Sequence, residues 1–419
     1  MRAVEALRAG LRKFAGHAQY RYVVINTLVS VIAFGRNLLF MKTLPLADLG
    51  QVALMQTIVL LVGFIQAGTI NGAYILFAER KSDQTQLIVN ILNLGALGLM
   101  AAAGVAATLG AGSAMTPVVA PETLVIGAFA GILTLAATWM NNALIANEAL
   151  AKSNAINMGA VLASLCVAAM SLQYGLSAAL LSMLLQPALA AAAPLMVERS
   201  LRPTSLRVDP RSFRTIFSLG IQPFLGALFV LMTYQLERWS IVYLLGQEAL
   251  GKFYLVIMYM TFFILIPASL LNVYFPRAMR TYQAGNYAGF RSILRRHMLD
   301  LGIYGMVALI LTALLLPSAI SFFVPQFTDS QNLVFLVFPA LLIFVSRDCA
   351  ALVLYSVKMT RPILVSGVIL LVAYAILLGG AAILDRFSLA AVTVLRGVAV
   401  AISTAYLLWT RHEVMRGLA

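Results

Sequence analysis

The sequence predicts an all-α polytopic membrane protein, with about twelve transmembrane helices in two six-helix bundles around a central cavity. Hydrophobic residues make up 62% and charged residues 11% of the 419, whereas a soluble domain carries roughly 25% charged residues. Apolar stretches of about 20 residues, the length at which a helix crosses the hydrocarbon core, recur along the whole chain. Between them the basic residues are shared unevenly. Of the 29 Lys and Arg, 22 fall in alternate gaps, and the intervening gaps hold only Lys42, Lys252 and Arg386. Short loops rich in Lys and Arg stay cytoplasmic, so both termini are expected inside and the number of crossings even.

Residues 1–20 come first. Val4, Leu7, Leu11 and Phe14 recur at helical spacing against Arg2, Arg8, Arg12 and Lys13, as in a cytoplasmic amphipathic segment lying on the inner leaflet; a solvated tail is the alternative. The first apolar run is long and lacks a small-residue cleavage pattern, so no cleavable signal peptide is expected. Spans are predicted near 21–41, 52–78, 87–109, 119–146, 154–172, 176–197, 215–244, 252–275, 298–317, 332–357, 362–384 and 388–410. The segment 198–214, with Arg199, Arg202, Arg207, Arg211 and Arg214, is a basic cytoplasmic linker. It separates an N-terminal bundle over 21–197 from a C-terminal bundle over 215–410, and 411–419 form a cytoplasmic tail. A second basic loop, 276–297, carries Arg277, Arg280, Arg291, Arg295 and Arg296. Prolines at 187, 194, 223, 267 and 339 predict kinks within spans.

The two halves also repeat. Leu49-Gly50-Gln51-Val52-Ala53-Leu54 opens the second span, and Leu250-Gly251-Lys252-Phe253-Tyr254-Leu255 opens the eighth, 201 residues later. Arg36 precedes Gly50 by 14 residues, and Glu237 precedes Gly251 by the same 14. With six spans in each half, the repeats are parallel and related by an axis along the membrane normal.

Several function classes are disfavoured. The net charge of +14 is spread over short loops, not gathered on one soluble face, which argues against nucleic acid and for anionic inner-leaflet lipid as partner. Cys166 and Cys349 both sit in apolar stretches, so no disulfide is expected. His17, His297 and His412 lie in basic segments without a second ligand nearby, so no metal is expected. Gly379-Gly380 lies within an apolar run and suits helix packing, and nothing resembles a nucleotide-binding or nucleophile motif. No cofactor and no enzymatic activity are expected.

Charge within the hydrocarbon costs roughly 2.5 to 3.5 kcal/mol per centrally placed residue. Four arginines, Arg36, Arg238, Arg347 and Arg396, and two acids, Glu237 and Asp348, fall within spans. Such a cationic set attracts anions, and guanidinium grips phosphate oxygens through paired hydrogen bonds. Arg36 lies well past the midplane, roughly 21 Å along the first span. It flanks a stripe of Asn26, Ser30, Ala33 and Asn37 that suits water or partner helices; snorkelling outward is the alternative. Glu237 and Arg238 point about 100° apart, and with Trp239 and Tyr243 next to them an interfacial belt is the alternative to a cavity role. Arg347 and Asp348 lie near the middle of their span, as a transport site or as partners of structural ion pairs. Glu237 and Asp348 are the only acids deep enough to couple an ion. Weaker candidates are Gln66, Thr69, Asn71 and Tyr74 in the second span, Asn141, Asn142 and Asn147 in the fourth, and Arg396. Tyr254, Tyr259 and Tyr274 suit sugar stacking or simple packing.

The run Gly35-Arg36-Asn37-Leu38-Leu39-Phe40, followed by Leu46-Ala47-Asp48-Leu49-Gly50-Gln51, resembles the start of the lipid-linked oligosaccharide flippases, the Wzx type of the multidrug/oligosaccharidyl-lipid/polysaccharide exporter superfamily. Leu236-Glu237-Arg238-Trp239-Ser240-Ile241, followed by Gly246-Gln247-Glu248-Ala249-Leu250-Gly251-Lys252-Phe253-Tyr254, is similar to that family's acidic-residue, Arg, apolar, Gly-x-x-x-x-Gly-x-Tyr pattern. Glu237 stands where Asp is usual, Phe253 interrupts the Gly-x-Tyr, and the thirteenth and fourteenth spans of the related lipid II flippases are absent. The resemblance implies a flippase that moves undecaprenyl-pyrophosphate-linked oligosaccharide repeat units across a bacterial inner membrane by alternating access, for surface polysaccharides such as O antigen. It implies the polyprenyl-pyrophosphate-linked oligosaccharide as cargo, with Arg36 and Arg238 at the pyrophosphate, and H+ or Na+ as a coupling ion. A polysaccharide polymerase and a chain-length regulator are partners of such a pathway. The rivals are a multidrug exporter of the same superfamily, which would want buried acids in excess, and a membrane polymerase or ligase, which would want a long outer loop.

Overall fold

The computed structural model describes residues 18–64, 66–70, 72–73, 119–146, 149–202, 210–357, 359 and 361–417. Among these, all regular structure is helical: α1 (Ala18–Thr43), α2 (Leu46–Phe64), α3 (Pro121–Ala146), α4 (Leu150–Ala169), α5 (Ser171–Val197), α6 (Pro210–Leu245), α7 (Gln247–Gln283), α8 (Tyr287–Phe323), α9 (Gln331–Ser356), α10 (Arg361–Ile383) and α11 (Leu389–Gly417). Nine of these are long and apolar enough to cross a membrane. The protein is an all-α polytopic membrane protein. The N-terminal amphipathic segment, the third span at 87–109, Arg80, Arg207, Asn71, Tyr74 and Asn147 lie outside the described residues.

The chain forms two compact units, one of Met1–Pro45 and Leu54–Phe224, the other of Leu46–Ala53 and Leu225–Ala419. In the first, α5 packs on α3 and α4, and α1 packs on α4. In the second, α11 packs on α9 and α10, and α7 packs on α8 and α9.

The second predicted span is not continuous. Helix α2 ends at Phe64, a turn occupies residues 66–68, and helix resumes at Thr69. Ala67 and Gly68 have φ of 46° and 85°, and the Gln66 side-chain oxygen caps the restart by accepting from the Ile70 amide at 3.0 Å. A Cβ on Gly68 would sit 2.5 Å from the Gly220 carbonyl oxygen. The break thus brings two backbones of the first unit together at a residue without a side chain. In α5 the backbone leaves helical values at Gly175 (φ 56°), and not at Pro187 or Pro194, because proline tilts a helix while keeping a helical φ.

The basic loop expected at 276–297 is mostly helix. Helices α7 and α8 contain 37 residues each, about 55 Å of helix against about 30 Å of hydrocarbon. They meet in a turn in which Gly285 takes φ of 70° and Asn286 caps α8 by accepting from the Gly289 amide. Continuing the helices keeps the backbone bonded while the exposed Arg277, Arg280, Arg291, Arg295 and Arg296 stay in water. Tyr274, Ala278, Phe290 and Leu294 pack this hairpin onto Leu352 and Val353 of α9.

The Leu-Gly repeat has a structural meaning. A Cβ on Gly50 would lie 2.3 Å from the Gln247 carbonyl oxygen, and one on Gly251 would lie 1.8 Å from the Leu46 carbonyl oxygen. The two copies therefore face each other, and the first turns of α2 and α7 cross backbone to backbone within the second unit. Gly251→Ala is expected to force these turns apart and to lower the melting temperature of the purified protein. Gly379→Ala, where a Cβ meets nothing within 4 Å, is the control; equal melting temperatures would show that the crossing has slack.

Candidate functional site

Arg36 points into the first unit and is only 8% exposed. Its Nη1 donates to the Ser164 hydroxyl on α4 and to the Gln186 side-chain carbonyl on α5, both at 2.7 Å. The Ser164 and Ser182 hydroxyls each donate to the other's backbone carbonyl at 2.9 Å, which fixes α4 on α5 and holds Ser164 toward α1. Arg36 does not snorkel. Both of these partners are neutral acceptors that orient the guanidinium. Beside it, the Asn37 side-chain oxygen is buried without a hydrogen-bond partner among the described residues, while Asn26 is exposed. Helical periodicity did not single out Ser164, Ser182 and Gln186, although each is a polar residue in an otherwise apolar span.

In the second unit the remaining membrane charges lie near one another. Glu237 on α6 is 2% exposed. The Arg396 Nη1 on α11 donates to both its carboxylate oxygens, at 2.8 and 3.0 Å, and the Tyr374 hydroxyl on α10 donates to it at 2.8 Å. The Arg396 guanidinium also stands over the Tyr234 ring, 4.6 Å from its centre. Arg347 on α9 is 7% exposed, donates through Nη2 to the Ser366 hydroxyl at 2.8 Å and leaves Nη1 buried without a hydrogen-bond partner among the described residues. Tyr234 lies within electrostatic reach of Arg238, Arg347 and Arg396 alike. Three arginines therefore share one neighbourhood with Glu237 and the half-buried Asp348.

Other polar groups there also lack partners. Gln235 is 3% exposed, and both atoms of its amide are buried without a hydrogen bond among the described residues, as is the Thr404 hydroxyl. Each such group costs about 1 to 3 kcal/mol if nothing satisfies it. A buried interior with open donors, open acceptors and an excess of guanidinium suits a polar anion.

The interfacial-belt alternative divides. Tyr243 is exposed and its ring stacks on Trp239, as a belt requires, whereas Glu237 and Arg238 are buried. Gln66 is used locally to cap its helix. Tyr254 is completely buried, Tyr259 bonds Thr312 at 2.7 Å, and Tyr274 bonds Asp300 and rests on the His297 ring. All three tyrosines are engaged in packing.

No protein-family model matches the sequence, and no curated protein matches it. Solved structures do. An inward-facing multidrug resistance MATE family transporter of the MOP superfamily superposes with a TM-score of 0.74 at 13% identity, over 93% of this chain and 95% of that one. The lipid II flippase MurJ, in an inward closed conformation, gives 0.69 at 15% identity, over 93% and 87%. The Vibrio cholerae MATE transporter VcmN gives 0.64 at 14% identity, over 98% of each chain. The fold is the one these MATE and MurJ structures share. These neighbours are transporters and a flippase; at such identities the likeness extends to the fold and no further.

Proposed function

We propose that this protein is a flippase for polyprenyl-pyrophosphate-linked oligosaccharide repeat units in a bacterial inner membrane, working by alternating access. The observation that carries the proposal is the set of buried arginines, Arg36 within the first unit and Arg238, Arg347 and Arg396 within the second. A pyrophosphate offers the oxygens that guanidinium pairs with best. Arg36, oriented by Ser164 and Gln186, and Arg347, whose Nη1 has no hydrogen-bond partner among the described residues, are the leading pyrophosphate contacts. Glu237 and Asp348 are the acids on which a coupling H+ or Na+ would act. Deleting the gene is expected to leave lipid-linked repeat units on the inner leaflet and to abolish one surface polysaccharide. Normal surface polysaccharide in a clean deletion, with no second flippase present, would remove this claim.

The likeness to a MATE multidrug transporter favours drug export as the second reading. A drug cation, however, would meet more arginine than carboxylate here. Overexpression separates the two: raised resistance to cationic drugs, with polysaccharide unaffected by deletion, would establish export.

The basic segments support an orientation with both termini and the Arg291 region in the cytoplasm. A single Cys introduced at 291, in a background with the exposed Cys166 replaced by Ser, is expected to resist an impermeant thiol reagent in intact cells. Labelling there would invert the topology.

A further inference from the structure

Between α10 and α11 of the second unit runs an open apolar crevice of about 570 Å³, lined by residues from Ile376 to Leu384 on one side and from Ala390 to Leu395 on the other. Small residues keep it open: Gly380 and Ala381 on α10, Ala390 and Ala391 on α11. A Cβ on Gly380 would meet nothing within 4 Å. The outer rim is greasy, since Ile376 and Leu384 are each 68% exposed.

One charged residue, Arg386, lines the crevice, at its end where α10 turns into α11. The turn holds it there. Asp385 takes φ of 55°, the Arg386 amide donates to the Ala381 carbonyl at 2.9 Å, and the Asp385 amide donates to that of Ala382. This is the pattern of a Schellman cap, in which the residue occupied here by Arg386 ordinarily packs an apolar side chain back on the helix. Ser388 closes the other side by accepting from the Ala391 amide at 3.1 Å. Backbone bonds on both sides thus set a guanidinium at the mouth of an apolar slot.

The dimensions identify the occupant. From Arg386 back to Ile376 is ten residues, about 15 Å at 1.5 Å per residue, and one leaflet of a roughly 30 Å hydrocarbon core is about as deep. A slot one leaflet deep, walled by two neighbouring helices and open along one side, suits a single acyl chain. We propose that this crevice binds one acyl chain of an anionic glycerophospholipid, with the lipid phosphate on Arg386. A polyprenyl tail of dozens of carbons would overrun the slot beyond Ile376. The site is separate from the buried arginines and stands whatever the cargo is.

Native mass spectrometry of the delipidated full chain, titrated with phosphatidylglycerol and in parallel with phosphatidylcholine, tests the proposal. The wild type is expected to retain one phosphatidylglycerol in preference to phosphatidylcholine by about five-fold, the factor a single surface-level Arg supplies toward an anionic lipid. Arg386→Gln should keep one lipid but bind the two headgroups equally. Gly380→Leu fills the slot and should retain one lipid fewer of either kind. The proposal is overturned by a wild type without headgroup preference, by an unchanged preference in Arg386→Gln, by a folded Gly380→Leu that holds as much lipid as the wild type, or by polyprenyl phosphate displacing phosphatidylglycerol. If Gly380→Leu fails to fold, the Arg386→Gln preference alone decides.

Discussion

Glu237→Ala is expected to lower the stability of the protein by about 3 to 5 kcal/mol, because it leaves the Arg396 guanidinium buried and uncompensated. Arg396 is 6% exposed and Glu237 2%, so neither reaches bulk water, and the Tyr374 hydroxyl loses its acceptor at the same time. Arg396→Ala should be nearly as harmful, by leaving a buried carboxylate. Replacing both, as in Glu237→Leu with Arg396→Leu, should recover much of the loss, since apolar residues that fill the same space need no counter-charge. Thermal unfolding of the purified variants and their abundance in membranes measure this. Single variants as stable as the wild type would mean that the pair is reached by water and is not structural. A double variant that is stable but inactive would separate a transport role from the structural one, and would place the pair among the residues that cargo or a coupling ion contacts.

Arg36→Ala is expected to abolish most transport while leaving abundance close to normal. Ser164 and Gln186, which accept from it, are neutral, so removing the cation strips neither of a counter-charge, and Ser164 keeps its hydrogen bond to the Ser182 carbonyl. Arg36→Lys retains the charge but loses the fork that matches phosphate oxygens, and should retain part of the activity. Ser164→Ala and Gln186→Leu keep the guanidinium and free its orientation, so they should lower activity less than Arg36→Ala. Export of the surface polysaccharide, normalised to protein abundance, is the readout. Full export by a normally abundant Arg36→Ala would remove Arg36 from the cargo site and leave Arg347 and Arg238 as the remaining arginines for the pyrophosphate.

The local sequence determined the class of this protein. An apolar run of about twenty residues has few stable fates other than a membrane helix, because backbone groups in lipid must be bonded within their own segment. The cost of intramembrane charge is likewise a property of the sequence alone, and it singles out Arg36, Glu237, Arg238, Arg347, Asp348 and Arg396; all are buried except Asp348, which is half-buried. Basic composition was the less faithful guide at 276–297, where Arg, a good helix former, lets α7 and α8 run on past the hydrocarbon. Apolar composition was equally blind to the turn at 66–68, which exists because another backbone must come close at Gly68.

Partnership was left to the tertiary structure. Glu237 meets Arg396 across 159 residues, and Arg36 meets Ser164 and Gln186 across 128 and 150. Helical periodicity gives the angle of a side chain about its own axis, but not which neighbour lies at that angle, since that depends on how helices far apart in sequence cross and rotate. For the same reason the Leu-Gly repeat was visible as a repeat, while the meeting of its two copies, Gly50 on Gln247 and Gly251 on Leu46, appeared only when α2 and α7 were placed against each other.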